Sequence, residues 1–236
     1  MAGRDRNSAR LLTVITGFKN RYLGQTIYVF GSGKSLDFFP KEFFDDKICV
    51  ATNQVGHSYG LKNYISCGHH YEAGERYRAI GIEAPIVTPD RDTTKLEMAP
   101  LPDGANVFRF PASRQHFHRF DVRIHWPTNP DTLVVGSSGL HSAMHLAHYM
   151  GAATIVLVGV DMGTLDGHTN FDAYLQRPVV DKVRGAQTEH SWMAWEQHTR
   201  DVANKLRELG SNVISLSPFI NPNLEGHEYR GVCAIN

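Results

Sequence analysis

Little in this chain points to a secreted, membrane-bound or nucleic-acid-coating protein. Cysteine is scarce: Cys49, Cys67 and Cys233 are the only three in 236 residues. They are too widely spaced for a disulfide framework or a paired zinc motif, which fits a reducing compartment. No run reaches the roughly 18 consecutive apolar residues that a membrane-spanning helix requires. The opening "MAGRDRNSARLLTVITGF" has no long apolar core and no cleavage signature, so a cytoplasmic location is expected. Charge of one sign is missing too. Lysine plus arginine and aspartate plus glutamate number 24 each, so no strongly basic surface is advertised. The aromatic, basic run "RQHFHRFDVRIHW" at 114–126 leaves a local patch, and hence a nucleic-acid acceptor, open. Internal repeats and low-complexity tracts are also absent.

What is present is an alternation. Short apolar runs rich in β-branched residues recur at 26–31, 47–53, 63–68, 84–89, 153–161 and 212–217, the mark of buried parallel strands. Two long helical patterns lie among them. In 137–151, Leu140, Ala143, Met144, Ala147 and Met150 share a face and Gly151 supplies the stop. The second covers 190–210 and also ends in glycine. A short amphipathic helix is expected at 8–22. The pattern predicts a single α/β Rossmann-like domain over 1–236: a doubly wound, mostly parallel sheet with helices on both faces. The long mixed stretch 162–188 is expected to be a lid. Ligands in such sheets sit at the carboxyl ends of the strands, where Gly31, Asn53 and Asp161 all fall.

Gly33-Lys34-Ser35 ends like a phosphate-binding P-loop, but that motif needs a glycine where Tyr28 stands and a long helix starting at the lysine. Here Pro40 follows within six residues, so the P-loop is excluded. What remains is a strand running into Gly31-Ser32-Gly33-x-Ser35. Such glycines either let backbone amides approach a phosphate or ribose, or simply make a tight turn.

Four blocks, "VFGSGKSLDFFP", "VATNQV", "SSGLHSAMHLAHYMGAATIVLVGVD" and the "HS" at 190–191, together resemble the bacterial sialyltransferases of glycosyltransferase family 42. They also resemble the MptE-like group that includes 6-hydroxymethylpterin diphosphokinases. The resemblance implies an inverting, metal-independent transferase that moves a sugar from a nucleotide-sugar donor, CMP-linked in the sialyltransferases, to an acceptor hydroxyl. Gly31, Ser32, Gly33 and Ser35 would then hold the donor's phosphate and sugar. Asn53 and Gln54 would face its nucleotide, and Ser137, Ser138 and Gly139 would complete the donor site. His190 would be the general base. The family's Gly-x-Gly-Pro-Ser-Leu has lysine at 34 here, and its two leaving-group tyrosines are missing from "DMGTLDGHTNF". His168 or Tyr174 is expected to take their place. The diphosphokinase alternative would use ATP with Mg²⁺, and a non-catalytic nucleotide or nucleic-acid binding module is the second alternative.

Several residues carry two readings. Ser138 opens a helix whose free amides attract an anion, or is a plain N-cap. Asp161 holds Mg²⁺, or hydrogen-bonds a loop. His190 is a base, or merely begins a helix. His141, His145 and His148 share a helix face away from the core stripe and are expected to be a solvated or interface face rather than a zinc site, since no His-Glu-x-x-His occurs. Apolar and aromatic content within 162–188 leaves room for a homo-oligomeric partner.

Overall fold

The central strands of the main sheet are mostly apolar on both faces, and buried side chains pack against each. The structure, a computed structural model, describes residues 15–68, 73–90, 106–111, 124–162, 165, 168–175, 189–216, 223–224 and 227–228. In chain order these form β1 (Thr26–Phe30), β2 (Ile48–Thr52), α1 (Val55–Tyr59), β3 (Ile65–Cys67), α2 (Ala73–Ala79), β4 (Ile86–Pro89) and β5 (Val107–Phe110). There follow α3 (Gly139–Tyr149), β6 (Thr154–Val158), α4 (Asp172–Leu175), α5 (Glu189–Glu208), β7 (Asn212–Ser215) and a small antiparallel pair, β8 (Asn223–Leu224) with β9 (His227–Glu228).

The main sheet has the order β5-β4-β3-β2-β1-β6-β7, and all its pairs are parallel. It is the expected α/β Rossmann-like, doubly wound sheet. Side chains alternate with the period of two that a strand imposes. Ile27, Val29, Ile155 and Leu157 face the layer that holds α3 and α5. Phe30, Val156 and Val158 face the opposite layer, with Leu36, Phe44, Val55 and Phe171. The chain runs outward from β1 to β5, then returns to place β6 on the other side of β1. That reversal makes the β1–β6 boundary a topological switch point, the position at which α/β sheets open a crevice.

Several expectations need correction. The helix expected over 8–22 is not one across its described part. Ile15–Phe18 is a 3₁₀ turn, and the chain then bends, with Asn20 and Gly24 at φ 56° and 77°. Tyr22 N–H and Gly24 N–H donate to Met150 O and Gly151 O (2.8 and 2.9 Å), so the segment clasps the end of α3. β5 was missed because a buried arginine interrupts its apolar run. Arg109 donates to Pro89 O at 2.8 Å. The face carrying His141, His145 and His148 is not solvated: His141 and His145 are buried and His148 is half-buried. α3 lies between the sheet and α5, with Leu133, Val134 and Val135 also covered, and of its residues only His148 keeps partial exposure. Among the described residues no helix is long and apolar enough to cross a membrane.

Of the stretch expected to be a lid, the described part is tied to the turn after β1. Phe171 N–H donates to Ser32 O (3.1 Å), Ser32 Oγ to Asn170 Oδ1 (2.8 Å), and Lys34 pairs with both Asp37 (2.8 Å) and Asp172 (2.6 Å). Residues 163–164, 166–167 and 176–188 lie outside the described residues.

Candidate functional site

At the switch point a cleft of about 110 Å³ opens between the turn after β1 and the turn after β6. Four stretches distant in sequence line it: Gly31–Gly33, Thr52 and Asn53, Ser137–Leu140, and Gly159–Met162, with Thr169, Asn170 and Trp195 at its side.

The two glycines that end β1 are fixed by their neighbours across the sheet. A Cβ on Gly31 would collide with the carbonyl oxygen of Gly159, and one on Gly33 would lie 2.5 Å from Asp161 Cγ. Their amides are also engaged, Gly31 N–H with Val158 O (2.9 Å) and Gly33 N–H with Gly159 O (2.8 Å). The glycines therefore zip β1 to β6, and neither of these two N–H groups is turned to a ligand. After Gly33 the chain makes 3₁₀ turns at Lys34–Phe38 and Lys41–Phe44, not the long helix of a P-loop. Asp161 is buried and accepts from Ser35 twice, from its N–H at 2.7 Å and from its hydroxyl. Its carboxylate thus caps the 3₁₀ turn, the loop-bonding one of its two readings.

Two residues of the lining have left-handed backbones although neither is glycine: Asn53 at φ 50° and Met162 at φ 53°. Asparagine tolerates this region, but a methionine there is an outlier of the kind that accumulates at functional sites. Asn53 is held on several sides. Its N–H donates to Cys67 O (2.9 Å), its carbonyl accepts from Ser66 Oγ (2.6 Å), and its side-chain Oδ1 accepts from Tyr77 Oη (2.9 Å).

The third wall is the start of α3. Ser138 is its N-cap: Leu140 N–H donates to Ser138 Oγ (3.3 Å), and Ser138 N–H donates to His141 Nδ1 (3.3 Å), a capping box closed by a histidine. His141 Nε2 is 3.2 Å from Thr199 Oγ1, which itself donates to Trp195 O (2.6 Å). Because Nδ1 accepts, Nε2 carries the proton and donates to Thr199. Ser137 Oγ lies 2.8 Å from Nδ1 of His198, a buried residue of α5.

Of the residues predicted for the site, Gly31, Ser32, Gly33, Asn53, Ser137, Ser138, Gly139 and Asp161 meet in this one cleft. Ser35 stands behind it, bonded to Asp161. Gln54 is buried as the N-cap of α1 and its backbone accepts from Ser58 N–H (2.9 Å). His168 is exposed, pairing through its backbone with Leu165. Tyr174 is buried against Phe171, with ring centroids 5.4 Å apart, in the aromatic cluster under the sheet. Neither His168 nor Tyr174 is among the described residues that line the cleft. The backbone of His190 lies in the first turn of α5, and its side chain falls outside the described residues.

Sequence reasoning missed Met162, Asn170, Trp195 and His198. For the last two a signal existed. Trp195, His198 and Thr199 fall on the same helix face as Val202, Ala203 and Leu206, which are buried, so a polar pair sits on an otherwise apolar stripe. No protein-family model, curated protein or solved structure matches the chain, and its function is therefore argued from this cleft.

Proposed function

We propose that the protein is a transferase that binds a nucleotide-linked sugar donor in the switch-point cleft and passes the sugar to an acceptor hydroxyl. One observation carries the reading: the glycine turn after β1, the left-handed Asn53 and the serine turn opening α3 converge on one crevice. Parallel sheets bind nucleotides at this position. The eleven-residue α3 points its positive end into the cleft, where an anion is favoured.

In this reading Asn53 faces the nucleotide, and Ser137, Ser138 and Gly139 face the donor phosphate. The acceptor oxygen forms a new bond to the sugar carbon as the carbon–oxygen bond to the phosphate breaks. The bonding electron pair leaves with the phosphate, and the acceptor's proton passes to His190. Histidine suits that task because its charge changes near neutral pH. The assignment of His190 itself rests on the resemblance described above.

A thermal-shift screen against CMP, CDP, UDP, GDP and ATP, each with and without Mg²⁺, tests the reading. Ligand at 100 times its Kd adds about 2.7 kcal/mol, which should raise the midpoint of a chain this size by about 5 to 10 °C. A metal-independent shift with a pyrimidine nucleotide is the expected outcome. A shift with ATP only in the presence of Mg²⁺ would replace the glycosyltransferase with a diphosphokinase, and no shift with any of them would sink both.

A further inference from the structure

A phosphate entering this cleft meets few positive groups. Its described lining includes Asp161 and neither lysine nor arginine. Most amides around the start of α3 are already spent: Ser138 N–H on His141, Leu140 N–H on Ser138 Oγ, and His141 N–H on Ser138 O at 3.2 Å. Gly31 and Gly33 donate across to β6 and the turn that follows it. Yet a departing phosphate gains charge, and meeting that charge with aimed donors commonly lowers the barrier more than any other single effect. Several hydroxyls line this space, among them Ser32, Ser138 and Thr169; that of Ser137 has an imidazole directly behind it, with His198 Nδ1 2.8 Å away.

The two neighbouring histidines differ in what they can do. His141, whose ring centroid is 5.7 Å from that of His198, has both nitrogens committed, Nδ1 to Ser138 N–H and Nε2 to Thr199. A proton added to its Nδ1 would break the cap of α3. His198 Nδ1 faces the Ser137 hydroxyl and, more distantly, Ser137 N–H at 3.4 Å. In the tautomer whose Nδ1 accepts from that backbone donor, the Ser137 hydroxyl points at His198 and away from the cleft. With a proton on Nδ1 the 3.4 Å contact from Ser137 N–H is given up and the bond to the hydroxyl reverses. His198 donates to Ser137 Oγ, and the hydroxyl hydrogen is released toward the cleft. Other ionisable groups near this pair among the described residues include His141 on α3 and Asp161 in the cleft lining.

We infer that Ser137 and His198 together answer the negative charge of the donor's leaving phosphate, Ser137 by direct contact and His198 as a positioning residue acting through it. The inference deepens the proposed function and rests on its nucleotide donor. It assigns the leaving-group role to residues of the cleft lining and its backing. On binding, one proton is taken from solvent onto His198 Nδ1. It stays there while the sugar–oxygen bond breaks and the electron pair moves onto the phosphate.

The test is calorimetric titration of the full chain with each nucleotide of the screen, with its parent nucleoside, and with inorganic pyrophosphate, in buffers of different ionisation enthalpy. Wild type should take up more protons per bound phosphate ligand than His198→Gln does. Ser137→Ala and His198→Gln should each weaken nucleotide binding by about tenfold to a hundredfold, the range for hydrogen bonds to charged groups, and leave nucleoside binding within about twofold. Equal losses for nucleotide and nucleoside, no loss, or undiminished uptake in His198→Gln would overturn the pair. If His198→Gln fails to fold, Ser137→Ala decides by the same nucleotide-to-nucleoside comparison. Pyrophosphate binding that meets these criteria without any nucleotide binding would remove the nucleotide donor and keep the pair. Absence of binding by every phosphate probe removes both.

Discussion

Gly31 and Gly33 owe their identity to what stands opposite them rather than to unusual backbone angles. Gly33 is in an extended conformation, so an alanine there would fail only by collision. Gly31→Ala would press its Cβ on the Gly159 carbonyl, a backbone atom that cannot swing aside. A loss of about 1 to 3 kcal/mol is expected, as for other overpacked sites, read as a lower urea midpoint. An unchanged midpoint would mean that the β1 and β6 turns yield. Asp161 gives a second test at this scale. Its removal leaves the buried Ser35 N–H and hydroxyl without their acceptor. Asp161→Ala should therefore cost about 1 to 3 kcal/mol with no ligand or metal present. A variant as stable as wild type in EDTA, but unable to use Mg²⁺, would return Asp161 to the metal-holding role.

At the scale of elements, α3 is a buried helix that carries three histidines, and burial sets their chemistry. His145 Nδ1 accepts from Val134 N–H at 2.8 Å, and Trp126 covers its ring at 4.4 Å between centroids. Desolvation, reinforced by nearby His148, pulls its pKa down to about 3, and burial lowers that of His148 as well. The folded state thus refuses a proton that the unfolded chain accepts at about pH 6.5. The stability that neutral His145 contributes is complete above that pH and declines as pH falls toward about 3. Between pH 6.5 and 5 the decline should reach about 2 kcal/mol from this residue. Denaturant melts of wild type and His145→Gln across that range should diverge accordingly, the variant being the flatter. Parallel curves would show that the folded protein protonates His145 as readily as the unfolded chain does.

For the molecule as a whole, contacts between distant segments decide how the cleft is framed. Lys34, the residue that gave the turn its P-loop look, bridges Asp37 and Asp172. Its hydrogen bond to Asp172, then that to Asp37, raises its pKa, so it stays charged. It fastens α4 to the turn after β1 beside Thr169 and Asn170 of the cleft wall. Lys34→Ala should speed hydrogen exchange at Phe171 and Asp172, whose amides donate to Ser32 O and Asp37, and leave β1 and β6 protected. Exchange unchanged at those two amides would mean that Phe171 and Tyr174 hold the segment by packing alone.

The sequence by itself determined six of the seven strands of the main sheet. Runs such as "TIYVF" and "TIVLV" are apolar at nearly every position, which only a strand covered on both faces tolerates, and the intervening helical periods make its strands parallel. It also marked most of the cleft, because glycine and serine turns at strand ends are local signals. Tertiary structure decided the rest. Whether an amide faces a ligand or a neighbouring strand is settled by strand order, and the β1–β6 pairing turned Gly31 and Gly33 inward. The histidines of α3 looked solvent-facing because helical period records which residues share a face, not how many faces are covered. His198 lies 61 residues from Ser137, and only the packing of α5 on α3 brings the imidazole to the hydroxyl.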